Sequence, residues 1–219
     1  MLTLYGVARS RATRPLWLLH EIGMEFAHVP VVQSYRLADP TAEDAPLNTA
    51  SEAFLKVNPQ GQVPAMEEDG LVLTESLAIC LHIARRHGGA LGPADWREEA
   101  EAVNWALFAA TSVESVATGI LYTHMDGAQD TPEGQARIAA AVEGLQRPLR
   151  RLEAHLAGRD GMMGGRFTVA DICVAECIRY GAVHAPLLAP FRGVAAWLAR
   201  CHARAGYQKM WAMRMAEAA

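Results

Sequence analysis

Apolar residues fall into two regimes along this chain. Up to about residue 86 they come in short runs separated by glycine, proline and polar clusters. Beyond residue 95 they recur at helical spacing. In the first regime, residues 2–5 read as a strand. Residues 11–22 read as a helix, with Leu16, Leu19 and Ile22 near helical spacing and Gly23 as its terminator. Phe26 to Val32 is a second strand, 33–49 a loop, 51–57 a short helix, and Asn58-Pro59-Gln60-Gly61 a turn. Val63, Ala65 and Met66, then Leu71, Val72 and Leu73, predict two strands around the acidic turn Glu67-Glu68-Asp69-Gly70. A helix from Ser76 to about Arg86 closes a βαβαββα order.

In the second regime the prediction is helical throughout. Residues 97–124 form one long helix. Residues 133–157 form another, in which Ile138, Val142, Leu145, Leu149, Leu152 and Leu156 make one core stripe. Pro148 inside it predicts a kink or a break. Thr168, followed three residues later by Asp171, reads as a helix start, with Phe167 and Ile172 at hydrophobic-staple spacing. A helix over 191–204 follows, and Ala205-Gly206-Tyr207 reads as a break before a short final segment. "HGGALGPAD", residues 87–95, is the linker candidate. The expectation is an α/β domain over 1–86 and an all-helical domain over 96–219.

Composition narrows the function classes. With a formal net charge of -4 and no dense Lys/Arg stripe, nucleic acid is not the expected partner. No run of about 18 apolar residues is present, so no membrane partner is expected. Met1 to Gly6 runs directly into a strand without a basic-then-apolar leader, and a cytoplasmic location is expected. Cys80, Cys173, Cys177 and Cys201 form no CxxC pair and read as small buried hydrophobes in a reducing compartment. The eight histidines show no metal-ligand spacing, so no metal is expected, and no nucleotide either.

The βαβαββα order is that of the thioredoxin-like fold. Where its redox members carry a CxxC motif, this chain has Ser10-Arg11-Ala12-Thr13, a hydroxyl without a thiol. Any thiol must then arrive with a ligand. Pro64, at the mouth of a strand, can take the cis form and leave the backbone of Val63 open to an extended peptide. Glu75 and Ser76 open the next helix, where N–H groups favour a carboxylate and Glu75 can meet an ammonium. Glutathione combines an α-amino acid end, peptide units and a central thiol. Ser10 also reads as a plain helix cap, and Tyr5 is a rival hydroxyl.

"LTLYG", "SRATRPLWLLHEIGMEF", "NPQGQVPA", "LTESLAI" and "RFTVADICVAE" fall in order across nearly the whole chain. Together they resemble the glutathione S-transferase family, with Ser10 placed as in its bacterial and theta-like classes. The resemblance implies a thioredoxin-like domain followed by a helical bundle, glutathione as co-substrate, and a homodimer. It implies that Gln62 and Val63, with Pro64, hold the cysteinyl part, and that Glu75 and Ser76 hold the γ-glutamyl part. It implies thiolate attack on an electrophilic apolar small molecule, with Ser10 and the first helix stabilising the anion. The co-substrate pocket is expected between the domains, walled by Ala8, Arg9, Trp105, Phe108 and Ser112 and closed by Tyr122, Met210 and Trp211. Glutathione-dependent isomerases, lyases and disulfide reductases, or a binding protein with little turnover, would share the same binding set. Two departures stand out. The 33–50 loop is expanded, leaving Arg36 and Lys56 as candidates for the glycyl carboxylate, and Glu114 stands where beta-class relatives carry a histidine.

Overall fold

The short apolar runs become a four-stranded sheet of order β2-β1-β3-β4. The strands are β1 (Thr3–Tyr5), β2 (Ala27–Val29), β3 (Ala65–Glu68) and β4 (Leu71–Thr74). β1 runs parallel to β2, with Leu4 opposite His28, and antiparallel to β3, with Leu4 opposite Met66. Glu68 pairs with Leu71, so the β3–β4 hairpin turns on Asp69 and Gly70, both left-handed at φ 51° and 81°. The computed structural model describes residues 1–217.

Period-two alternation sorts the sheet's side chains. Leu2 and Leu4 are fully buried on one face. On the other, Tyr5 and Val63 pack against a cluster of Val31, Ala65 and Phe54, the last from α2 (Glu52–Leu55). The first helix, α1 (Thr13–Ile22), is buried at every position from Thr13 to Leu19. An amphipathic helix would bury only a stripe. All-round burial follows because α1 packs against two helices, α3 (Ser76–His87) and α9 (Ala205–Ala216).

The helix α9 corrects the expected break at 205–207. Gly206 is a site of close approach: a Cβ there would lie 2.6 Å from Glu21 Cγ and 2.8 Å from the Glu21 backbone nitrogen. Arg204 grips both Glu21 oxygens at 3.0 Å, and Tyr207 meets Trp17 edge-on at 4.9 Å. The chain accordingly divides into residues 1–89 with the described residues from Arg204 onward, and residues 90–203. The boundary near residue 89 falls inside the glycine-rich linker read from the sequence.

The second unit is helical. Asp95 caps α4 (Trp96–Phe108) by accepting the N–H groups of Arg97 and Glu98 at 2.9 and 3.0 Å. Residues Ala109–Glu114 then widen into a π-helical stretch before α5 (Ser115–Met125). The predicted single helix is thus one continuous run of two geometries. The hydroxyls of Thr111 and Ser115 donate back to the carbonyls of Leu107 and Thr111 at 2.8 and 2.7 Å, competing with the α ladder. Thr131 and Pro132 start α6 (Pro132–Leu156), which passes Pro148 without breaking. By length and composition Trp96–Met125 could cross a membrane, contrary to the reading from apolar runs, but it packs against α6 and α7 (Val169–Ala182) as a core helix.

Asp171 organises the start of α7. Its carboxylate accepts Thr168 N–H at 2.8 Å, Met162 N–H at 3.1 Å and Trp197 Nε1–H at 2.8 Å. Trp197 belongs to α8 (Arg192–His202). Burial pushes the Asp171 carboxyl above its ordinary range while these donors pull the other way. All four cysteines are buried and none is in a disulfide, as their apolar surroundings in the sequence suggest.

Candidate functional site

The site begins at the loop joining β1 to α1. Gly6 adopts φ 134°, and a Cβ there would press on Val63 Cβ at 3.2 Å and Ala12 Cβ at 3.3 Å. The glycine lets this loop lie against the Val63–Pro64 segment. Ser10 Oγ donates to Val7 O at 2.7 Å and accepts Ala12 N–H at 3.0 Å. Ser10 therefore closes a turn ahead of the helix, whose capping position is Ala12. The rival, Tyr5, donates its hydroxyl to Glu67 at 3.3 Å. Burial and the Glu67 carboxylate push the phenol above its ordinary value, the opposite of what a thiol-activating acid needs.

The second wall is the turn before β3. The Val63–Pro64 peptide is cis. Buried Asn58 shapes the approach, donating to Gln62 O at 2.7 Å and accepting Gln60 N–H at 3.1 Å. Gly61 is left-handed at φ 59°, with Thr49 O only 2.7 Å from where a Cβ would stand. Gln62 itself is exposed. Among the described residues, no loop or turn hydrogen bond uses the N–H or C=O of Val63.

The third wall is the mouth of α3. Glu75 is exposed and sits at φ 65°, a conformation few non-glycine residues adopt. Ser76 is buried, and its Oγ accepts from Arg14 Nη1 at 2.8 Å. Arg14 is only 2% exposed and escapes the sequence reading. Its one available signal is position: an arginine amid the apolar residues of α1, where its guanidinium must find a partner.

An N-terminal domain model of the glutathione S-transferases matches residues 1–85, and a C-terminal domain model of the same family matches residues 135–200. A probable glutathione S-transferase of rice, Oryza sativa subsp. japonica, is 30% identical over 94% of this chain and 94% of its own length. The chain belongs to the glutathione S-transferase family. Transferase F7 of Populus trichocarpa superposes with a TM-score of 0.80 at 27% identity, covering 98% of this chain and 99% of its own. A theta class transferase of Xanthomonas axonopodis pv. citri, solved with glutathione bound, gives 0.73 at 27% identity over 95% of each chain.

Within this transferase, the residues expected to wall the co-substrate pocket lie in different settings. Ala8 is buried and Arg9 half-buried in the β1–α1 loop. Met210 is fully buried, and Trp211 stacks on Tyr207 at 5.7 Å. In the second unit, Trp105 and Phe108 are buried edge-to-face at 5.5 Å beneath the Arg151 guanidinium. Ser112 lies half-buried in the π-helical stretch, and Tyr122 is exposed. Glu114 is buried and accepts from Cys177 Sγ at 3.4 Å. Of the two cations considered for the glycyl carboxylate, Lys56 pairs with Glu52 at 2.9 Å and Arg36 is half-buried in a short 3-10 turn. An open cavity of about 630 Å³ is lined by Leu19, His20, Phe26 and Lys209 among others, and Ser10 is not part of its lining.

Proposed function

We propose that the protein transfers glutathione to electrophilic apolar small molecules, with Ser10 as the hydroxyl that serves the thiol. What supports this reading is three features of the first unit. They are the free backbone of Val63 beside a cis-proline, the Glu75–Ser76 pair at the mouth of α3, and a half-buried Ser10. An extended peptide fits the first, with Gln62 alongside, and an α-amino acid end fits the second.

In the reaction the cysteinyl thiol gives up its proton to solvent. Ser10 turns its hydroxyl from Val7 O toward the sulfur and holds the thiolate by a charge-assisted hydrogen bond. The thiolate attacks the electrophilic carbon, a carbon–sulfur bond forms, and the leaving group departs with the bonding pair. Tyr5 is a poorer substitute because its proton is directed at a carboxylate, Glu67, a stronger acceptor than the neutral Val7 carbonyl that holds the Ser10 hydroxyl.

The test pairs calorimetry with turnover. Glutathione should bind the wild type, and binding should weaken when Glu75 is changed to Ala. An activated chloronitroarene should be conjugated at a rate that depends on glutathione. Absence of glutathione binding by the wild type would overturn the reading. Binding without conjugation of any electrophile would reduce the protein to a glutathione receptor. We also propose a homodimer, supported by the family; sedimentation of a 23.7 kDa species at micromolar concentration would contradict it.

A further inference from the structure

A carboxylate already sits against the loop that carries Ser10, and it belongs to the chain itself. Glu217 follows α9, and its two carboxylate oxygens accept separate backbone donors: Ala8 N–H at 2.6 Å and Arg9 N–H at 2.7 Å. Arg9 Nε donates to the Glu217 carbonyl at 3.0 Å, and Arg214 Nη1 donates to Ala8 O at 2.8 Å. Two successive N–H groups converging on one anion make a backbone nest. The guanidinium groups of Arg9 and Arg214, each bonded within this contact, give it a positive field.

The contact is not a loose tail touching a loop. α9 is anchored to α1 by the Arg204–Glu21 pair, by Tyr207 against Trp17 and by His20 Nε2 beside Met213 Sδ at 3.1 Å. The loop is fixed from the other side by Gln33 Nε2, which donates to Arg9 O at 3.1 Å. Both halves are therefore presented in fixed register, and the next residue after Arg9 is Ser10.

We propose that the Ala8–Arg9 nest is an anion site for the co-substrate, held in the resting chain by Glu217 as an internal carboxylate. An electrophile bearing its own carboxylate takes the nest by displacing Glu217, whereas a neutral electrophile leaves the latch in place. Glu217 thus sets selectivity between acidic and neutral co-substrates. This rests on the glutathione-transfer reading for the turnover assay, but not for the binding assay.

The experiment uses a matched pair, 1-chloro-2,4-dinitrobenzene and 4-chloro-3,5-dinitrobenzoate, with the full chain and its Glu217→Ala, Glu217→Gln and Glu217→Lys variants. Removing a competitor held by two charge-assisted hydrogen bonds should raise the acidic-to-neutral ratio of kcat/KM by about tenfold to a hundredfold in Glu217→Ala. Glu217→Gln should fall between, since one end of its amide presents a donor to an N–H. Glu217→Lys should raise the ratio at least as far as Ala. In parallel, calorimetry with 3,5-dinitrobenzoate, which has no leaving group, should show tighter binding to Glu217→Ala than to wild type by the same order. A ratio and an affinity that stay within twofold of wild type in all three variants would overturn the proposal. Wild type that turns over neither arene would overturn the transfer reading instead, and the benzoate titration would still decide the nest.

Discussion

Changing Ser10 to Ala separates the two bonds its hydroxyl makes. In the resting structure the Oγ–H is given to Val7 O at 2.7 Å, and the oxygen receives Ala12 N–H at 3.0 Å. To serve a thiolate, the proton must leave Val7 O. That forfeits a neutral hydrogen bond of roughly 0.5–1.5 kcal/mol and gains one to a charged sulfur of roughly 1.5–3 kcal/mol. The net benefit is about 0.5–2 kcal/mol, smaller than the gross bond. At 1.36 kcal/mol per decade this is roughly a two- to thirtyfold loss of turnover near neutral pH. The same free energy should raise the apparent pKa of bound glutathione's thiol by about 0.4–1.5 units. The sign follows from the mechanism: losing a donor to the thiolate disfavours the charged form, so the thiolate appears at higher pH. The assay is ultraviolet thiolate absorbance of the glutathione complex against pH, for wild type and variant. Ala12 N–H also loses its acceptor, so the variant should be less stable by about 1 kcal/mol in urea unfolding. Coincident absorbance curves with turnover intact would show that Ser10 only shapes the turn, leaving the backbone amides to stabilise the anion.

Arg14→Met removes the buried donor to Ser76, and glutathione affinity should fall by about fivefold to thirtyfold while the folded far-ultraviolet spectrum persists; calorimetry on the folded variant decides it. Gly206→Ala forces a Cβ into Glu21 and should destabilise the first unit by about 1–3 kcal/mol, read as a lower urea midpoint; an unchanged midpoint would mean that α9 does not pack as tightly as its contacts indicate. Glu98 is held by hydrogen bonds from Arg166, then by Ala94 N–H, to a value of about 2, below its ordinary 4.5. A carboxyl depressed on folding stabilises above its unfolded value and loses that contribution as pH falls from about 4.5 to about 2. Glu98→Gln should flatten the acid limb of a pH-dependent melting series over that window, and an unaltered limb would remove this pair from the acid response.

Much of the fold was legible where its signals are local. Gly23 does end α1 in the left-handed region, Pro64 follows a cis peptide, and Thr168 with Asp171 opens α7. What escaped depends on partners remote in sequence. Gly206 has the composition of a breaker, and only the nearness of Glu21 shows it to be a packing position. Arg14 carries no motif, and the Ser76 that receives it lies 62 residues on. Glu217 carries no motif at all; its role rests on a contact 209 residues away. The π-helical turn within 96–125 leaves the apolar pattern helical on both sides, so periodicity alone shows one helix.

The division of the chain has a consequence for how the molecule is made. The first unit starts at the first residue but is finished by α9, which follows the whole of the second. During synthesis the α1 face that receives Tyr207 must wait, uncovered, while residues 90–203 emerge and fold. A fragment cut at the linker would keep every residue of the sheet yet expose that face of Trp17 to water. Moving α9 to precede β1 by circular permutation would let the first unit close before the second begins.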